Sequence, residues 1–378
     1  MKTRLILPLL LLFLAIASCG GNDPIMPPTP PAPTPGDSTL VPDTTGKDTL
    51  PEVKPEDFAR GADISWYSQM EDEGTKFYSW NHREPMDCPA VMQDLGLNAI
   101  ALRVLVNPHD GYCAMDDVLR KARRVHQLGL DLLVSLHFSD TIASSSLQRT
   151  PQEWQDHSME MLAEDVRSHT ASVLQALTEE GIEPRWIQIG NQLDNGLLWP
   201  AGYLTRYPTQ YATLVSSACR SARTICPKAQ IIVAAGNPLH QPSLCAALDG
   251  LRTTDYDQIG LALYPTQLVG SSFQLLNTAI SYGIENENDA IAYTMQTIDM
   301  LFNKYKKHCM IVECGVPVSQ ETAGSMHMRQ LVKEARANTT CRGIIYHEPE
   351  AYEGWRGYTQ GAFLSNGRPT QIIDALTK

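Results

Sequence analysis

The chain has 378 residues, a net charge of −12, 43% hydrophobic residues and only 19% charged ones. That acidic balance disfavours nucleic acid and anionic membrane surfaces as partners, while the apolar share is ample for a large core. The nine cysteines include no CxxC pair and no Cys/His metal spacing, which excludes zinc-ribbon-like modules.

Lys2 and Arg4 precede an uncharged apolar run from Leu5 to Ile16, too short for a comfortable membrane span and suited to a signal-peptide core. Ala17-Ser18-Cys19-Gly20 then resembles a bacterial lipobox, so residues 1–19 read as a lipoprotein signal with Cys19 as the lipidated residue. That reading predicts a cell-envelope protein, held at the outer membrane or cell surface by its lipid. Residues 20–56 are rich in Pro and Thr and lack apolar periodicity, so they read as a disordered tether. Residues 57–378 remain as one domain, a normal length for a single barrel with insertions.

Gly61 to Ser65 reads as a first strand, Pro89 to Leu95 as a helix closed by Gly96, and Asn98 to Val106 as a strong strand. Met115 to Leu128 is an amphipathic helix, with Val118, Leu119, Ala122 and Val125 on one face. Strands follow at 131–136, 186–190, 230–235, 258–263, 309–313 and 343–346, and helices at 159–177, 211–224, 289–305, 330–337 and 371–376. The strands are apolar throughout rather than alternating, as in a parallel sheet covered by helices. The expected fold is therefore an α/β (β/α)8 TIM barrel. A doubly wound sheet would want a Gly-rich phosphate turn after an early strand, and none is present.

Polar side chains gather where these strands stop: Asp63, Arg103, Asn107, His137, Asp140, Asn191, Gln192, Asp194, Tyr264, Glu313, His347 and Glu348. In a barrel the carboxyl ends of the strands form the active-site face, so Gln192 and Glu313 are expected to share one cleft. A retaining glycosidase needs one carboxyl as acid then base and a second as nucleophile, ~5–5.5 Å apart. Asp63 reads equally well as a cleft residue or as a structural one that simply caps or pairs with Arg103. Cys314 reads as a buried small hydrophobe rather than a nucleophile, and no disulfide can be assigned.

The segments Gly61-Ala62-Asp63-Ile64-Ser65, Lys76-Phe77-Tyr78, Leu102-Arg103-Val104-Leu105-Val106-Asn107-Pro108, Leu136-His137-Phe138-Ser139-Asp140-Thr141, Gly190-Asn191-Gln192-Leu193-Asp194-Asn195-Gly196-Leu197-Leu198-Trp199-Pro200, Tyr264-Pro265, Val312-Glu313-Cys314-Gly315 and Tyr346-His347-Glu348-Pro349 run in one order along the domain. Together they resemble glycoside hydrolase family 53, the arabinogalactan endo-β-1,4-galactanases. The resemblance implies a retaining mechanism on plant-type β-galactan, with Glu313 as nucleophile. It places Asn191 on the sugar 2-hydroxyl, Arg103 against the nucleophile's carboxylate, and His137, Asp140 and Tyr264 in the cleft. Asn107, Asp194 and His347 join them as expected substrate-binding positions. No cofactor is implied, and calcium finds no support in the sequence.

The chain departs from the family pattern where it matters most. Gln192 stands where the family has its acid/base Glu; an amide has the shape but no proton to transfer. Leu105, Ile142, Thr266, Gln267 and His347 stand where the family carries aromatics, and Ser144 where it carries an acid. Two readings follow: a β-galactan-directed hydrolase impaired at its acid step, or a lipid-anchored glycan-binding pseudo-enzyme.

Overall fold

A computed structural model describes residues 57–264 and 283–377. The lipobox, Cys19, the tether and Pro265-Thr266-Gln267 lie outside these residues. Eight parallel strands close on themselves: β1 (Ala59–Asp63), β2 (Ala99–Val104), β3 (Asp131–Leu136), β4 (Trp186–Ile189), β5 (Gln230–Gly236), β6 (Gln258–Leu263), β7 (His308–Cys314) and β8 (Cys341–His347). Closure is made by β8 against β1, in register from Ala59 opposite Gly343 to Asp63 opposite His347. The (β/α)8 expectation is met.

A helix follows each strand: α1 (Cys88–Asp94), α2 (Met115–Gln127), α3 (Met159–Glu179), α4 (Pro208–Ile225), α5 (Gln241–Asp249), α6 (Glu287–Tyr305), α7 (Glu321–Ala337) and α8 (Gln371–Asp374). Local chemistry sets several boundaries. Ser158 and Asn286 accept backbone N–H groups at the starts of α3 and α6, and prolines open α1, α4 and α5. Helix α5 was not expected; its nine residues are too short and too evenly apolar to show a period.

Two apolar layers hold the barrel. The larger fills the space between strands and helices, and includes Ile64, Leu102, Leu136, Ile187, Val233, Leu261, Ile311, Cys314 and Tyr346. The smaller lies inside the barrel, from Ala59, Ala99, Ala101, Leu133, Trp186, Ile232, Ala234, Met310, Val312 and Ile345. Strand side chains alternate with period two, so residues two or four beyond these inner ones also face the axis. At the carboxyl end those residues are Asp63, Arg103, His137 and His347. The inner column thus changes from apolar to polar at the strand ends. The eight cysteines among the described residues are free thiols, and Cys314 is buried.

Candidate active site

Simple alternation would turn Glu313 away from the axis, since Met310 faces in and Ile311 faces out. The pairing of β6 with β7 slips between Leu261↔Ile311 and Ala262↔Glu313, which inserts one residue into β7. This bulge sends Val312 and Glu313 to the inside in succession and returns Cys314 to the outer layer. Glu313 is 93% shielded from solvent, being 7% exposed. Its Oε1 accepts the Tyr264 hydroxyl at 2.6 Å and the Gln192 Nε2 at 3.0 Å. Among the described residues no partner holds Oε2. Burial, with the Glu313 charge alongside, pushes the Tyr264 hydroxyl pKa well up, so it stays a donor.

Gln192 is delivered by a strained turn. Gly190 has φ +68°, and a Cβ there would meet the Leu193 side chain at 2.5 Å. Gln192 is itself left-handed, at φ 48° and ψ 60°. Such strain in a non-glycine residue persists only where the surroundings impose it. Gln148 does so here, donating from Nε2 to the carbonyls of Asn191 at 2.7 Å and Gln192 at 3.3 Å. Phe138 and Glu348, just past β3 and β8, are left-handed too.

Arg103 does not meet Glu313. Its Nη2 donates to Glu348 Oε1 at 2.6 Å, and its Nη1 lies 3.7 Å from Asp63 Oδ2 and 3.5 Å from His347 Nε2. The expected brace on the nucleophile is therefore corrected: β8 closes beside β1 and supplies a nearer carboxylate. Burial works against the guanidinium charge, but the acids Glu348 and Asp63 outweigh it and hold Arg103 firmly protonated. Ser65 ties the arrangement together, with its hydroxyl accepting the Arg103 N–H and donating to Asp63. Lys121, fully buried, donates to the Ser65 carbonyl at 2.6 Å and pairs with Asp117 at 2.7 Å. Asp63, His347 and Glu348 present three ligand atoms within 4.8 Å of one another, a spacing fit for a metal. The guanidinium already occupies that position as the cation.

His137 is buried and accepts the Ala143 N–H at Nδ1, which leaves its proton on Nε2. Burial, then Arg103 and His347, lower its pKa well below the usual range, so it is a neutral donor. His347 lies between Arg103 and the Tyr358 hydroxyl, 3.1 Å from its Nδ1. Asn191 is nearly enclosed, its amide shared between the Ala143 carbonyl and Gln188. Asn107 and Asp140 do not join the central group. They bind each other and Gln152-Glu153 at the rim, with Asn107 exposed. Asp194 bonds neither Gln192 nor Glu313. Its carboxyl packs on Gly236, where a Cβ would fall 2.9 Å from Asp194 Cγ. Its Oδ1 is buried without a partner among the described residues, and burial raises the pKa to about 7.

Several residues of the site were not singled out from sequence. Glu348 appeared only as one strand-end acid among many, and Trp66, Trp355 and Tyr358 were missed. Trp66 packs 5.1 Å from both Trp355 and Tyr358, with the Arg103 guanidinium 5.5 Å over its ring. The spacing of Trp66 three residues past Asp63 was an available signal. A cavity of about 710 Å³ lies at the opposite end of the barrel around Arg185, Trp186, Gln258 and Arg342, away from this chemistry.

The family model of Glycosyl hydrolase family 53 matches residues 59–368. The chain belongs to glycosyl hydrolase family 53. A probable arabinogalactan endo-β-1,4-galactanase A of Neosartorya fischeri is 30% identical over 270 residues, covering 69% of this chain and 70% of the relative. The arabinogalactan endo-β-1,4-galactanase A of Aspergillus niger is 30% identical over 267 residues, covering 69% and 71%. Among solved structures, a fungal β-1,4-galactanase superposes with a TM-score of 0.73 at 20% identity, covering 85% of this chain and 99% of its own. The family 53 catalytic domain of Ignisphaera aggregans gives 0.73 at 22% identity, covering 85% and 96%. This family 53 chain is thus a galactanase-like glycosidase by kinship, and its cleft chemistry has to be read from its own residues.

Proposed function

We propose that the chain is a retaining glycosidase directed at β-1,4-galactan-like polysaccharide, with Glu313 as nucleophile and Gln192 in the acid/base position. The observation that carries this is the meeting of Gln192 and Glu313 at 3.0 Å, from strands far apart in sequence, on the active-site face of a barrel. Tyr264 and Gln192 both hold Oε1 of Glu313 and leave Oε2 for the anomeric carbon. Neutral His137, with its proton on Nε2, is suited to a sugar hydroxyl, and Trp66 and Tyr358 supply aromatic surface in place of the aromatics missing from the motif positions.

Gln192 cannot protonate a departing sugar oxygen. A positioned general acid contributes ~10²–10⁴-fold, so cleavage of unactivated galactan should be slower by about that factor. The test is release of reducing ends from galactan by the wild type, Gln192→Glu and Glu313→Ala. A carboxyl at 192 would crowd Glu313, which raises the proton affinity of one of the two, as an acid requires. Faster cleavage by Gln192→Glu, abolished in Glu313→Ala, is the expected result. Silence in every variant, with measurable affinity for a polysaccharide, would favour the second reading, a glycan-binding pseudo-enzyme. That reading is supported by the direct amide–carboxylate bond, which fills the gap where the glycosidic oxygen must enter. In either case the lipobox supports anchoring to the cell envelope through Cys19, at the outer membrane or cell surface.

A further inference from the structure

The amide of Gln192 is held at both ends. Oε1 accepts the Ser145 backbone N–H at 3.2 Å, and Nε2 donates to Glu313 at 3.0 Å. Ser145 N–H can only donate and an ionised carboxylate can only accept, so the amide has one consistent orientation. The NH2 end therefore lies in the gap with the nucleophile, carrying a second N–H. This group can steady a negative oxygen by a hydrogen bond but cannot give it a proton.

The neighbours do not make good the deficit. The Tyr264 hydroxyl is committed to Glu313. Both ring nitrogens of His347 face Arg103 and Tyr358. Glu348 is committed to Arg103 and to the Trp66 N–H. The carboxyl of Asp194 packs on Gly236 and bonds neither Gln192 nor Glu313. Among the described residues, no group with a transferable proton bonds either member of the Gln192–Glu313 pair except the Tyr264 hydroxyl already spent on the carboxylate.

We propose that the substrates this centre turns over readily are β-glycosides whose aglycone leaves as a stabilised oxyanion, a phenolate or a carboxylate, so that departure needs no proton from the protein. This rests on the reading of Glu313 as nucleophile. In the first step Glu313 Oε2 forms a bond to the anomeric carbon. The bond from that carbon to the aglycone oxygen breaks, and its electron pair leaves on the oxygen, steadied by the second N–H of Gln192. In the second step water attacks the same carbon, Glu313 departs as carboxylate, and the water's proton passes to solvent. Sugar, aglycone anion and one proton are the products. Gln192 has no base to offer the water, so the second step is the slow one on activated substrates.

The experiment is a series of aryl β-1,4-galactobiosides from dinitrophenyl through nitrophenyl to phenyl, given to the full chain and to Gln192→Glu. For the wild type we expect a rapid release of dinitrophenol equal to the enzyme present, then slow turnover accelerated by azide. We expect the rate of aglycone release in the first turnover to fall by more than ~10²-fold towards the phenyl substrate, with Gln192→Glu recovering most of that loss. A first-turnover rate that is flat across the wild-type series would show that a proton donor is present and overturn the proposal. Cleavage of the series by Gln192→Glu alone would overturn it too, while leaving the retaining reading intact. A dinitrophenyl 2-fluoro-galactobioside separates the two ideas. If neither protein reacts and no label appears on Glu313, the nucleophile assignment falls with the proposal.

Discussion

Asp194 offers a test that needs no substrate. Its carboxyl is raised from 3.8 to about 7 by burial, and its Oδ1 has no partner among the described residues. A group held protonated in the folded chain stabilises it fully below the unfolded value of 3.8, and that contribution is lost as pH rises through about 7. At about 1.4 kcal/mol per pH unit, the shift corresponds to on the order of 4 kcal/mol, an upper bound because the residue is only partly buried. Asp194→Asn keeps the shape and stays neutral, so it should remove the dependence. The measurement is the urea midpoint of both proteins from about pH 4 to pH 8. The wild type should lose stability relative to the variant across that range, by one to a few kcal/mol. Parallel curves for the two proteins would show that Asp194 is ionised and partnered in the fold, and the argument from its burial would fail.

Other outcomes follow from the same network. Glu348→Gln removes the closest counter-charge of fully buried Arg103 and should cost about 3 kcal/mol or more in chemical denaturation. Glu350→Gln should cost much less near neutral pH, because burial and then the Glu348 charge push the Glu350 carboxyl well up and keep it neutral there; equal losses would contradict this assignment. Tyr264→Phe removes one charge-assisted hydrogen bond from Glu313, worth about 1.5–3 kcal/mol, and should lower kcat on a dinitrophenyl galactobioside roughly 10–100-fold. An unchanged kcat would show that Tyr264 does not serve the nucleophile. Cys19→Ala should move the protein from the membrane fraction to the soluble one; a variant that still pellets with membranes would refute the lipid anchor.

The sequence shows the barrel well because eight apolar strands and most of their helices carry strong local signals. Strands 131–136 and 258–263 coincide with Asp131–Leu136 and Gln258–Leu263. It shows the two ends of the candidate site as well, since Gln192 just past β4 and Glu313 near the end of β7 meet. What it could not show is lateral order. Arg103 binds Glu348 rather than Glu313 because β8 closes against β1, and nothing in a linear chain ranks those two acids. Asn107 and Asp140 have the right residue types at strand ends but sit past the last inward position, so they finish at the rim. The search for missing aromatics failed for a related reason. It followed motif positions, whereas Trp66, Trp355 and Tyr358 arrive from the loops after β1 and β8.

The inserted residue in β7 shifts the phase of the pleat only above Ile311. Below it, against β6, the rungs keep their ordinary alternation, from Gln258 opposite His308 to Leu261 opposite Ile311. One extra residue turns Glu313 into the cleft while Ile311 and Cys314 stay in the layer under the helices. Different stretches of one strand thus set the frame and the mouth, and the frame superposes at a TM-score of 0.73 on a galactanase with which the chain shares 20% of its residues.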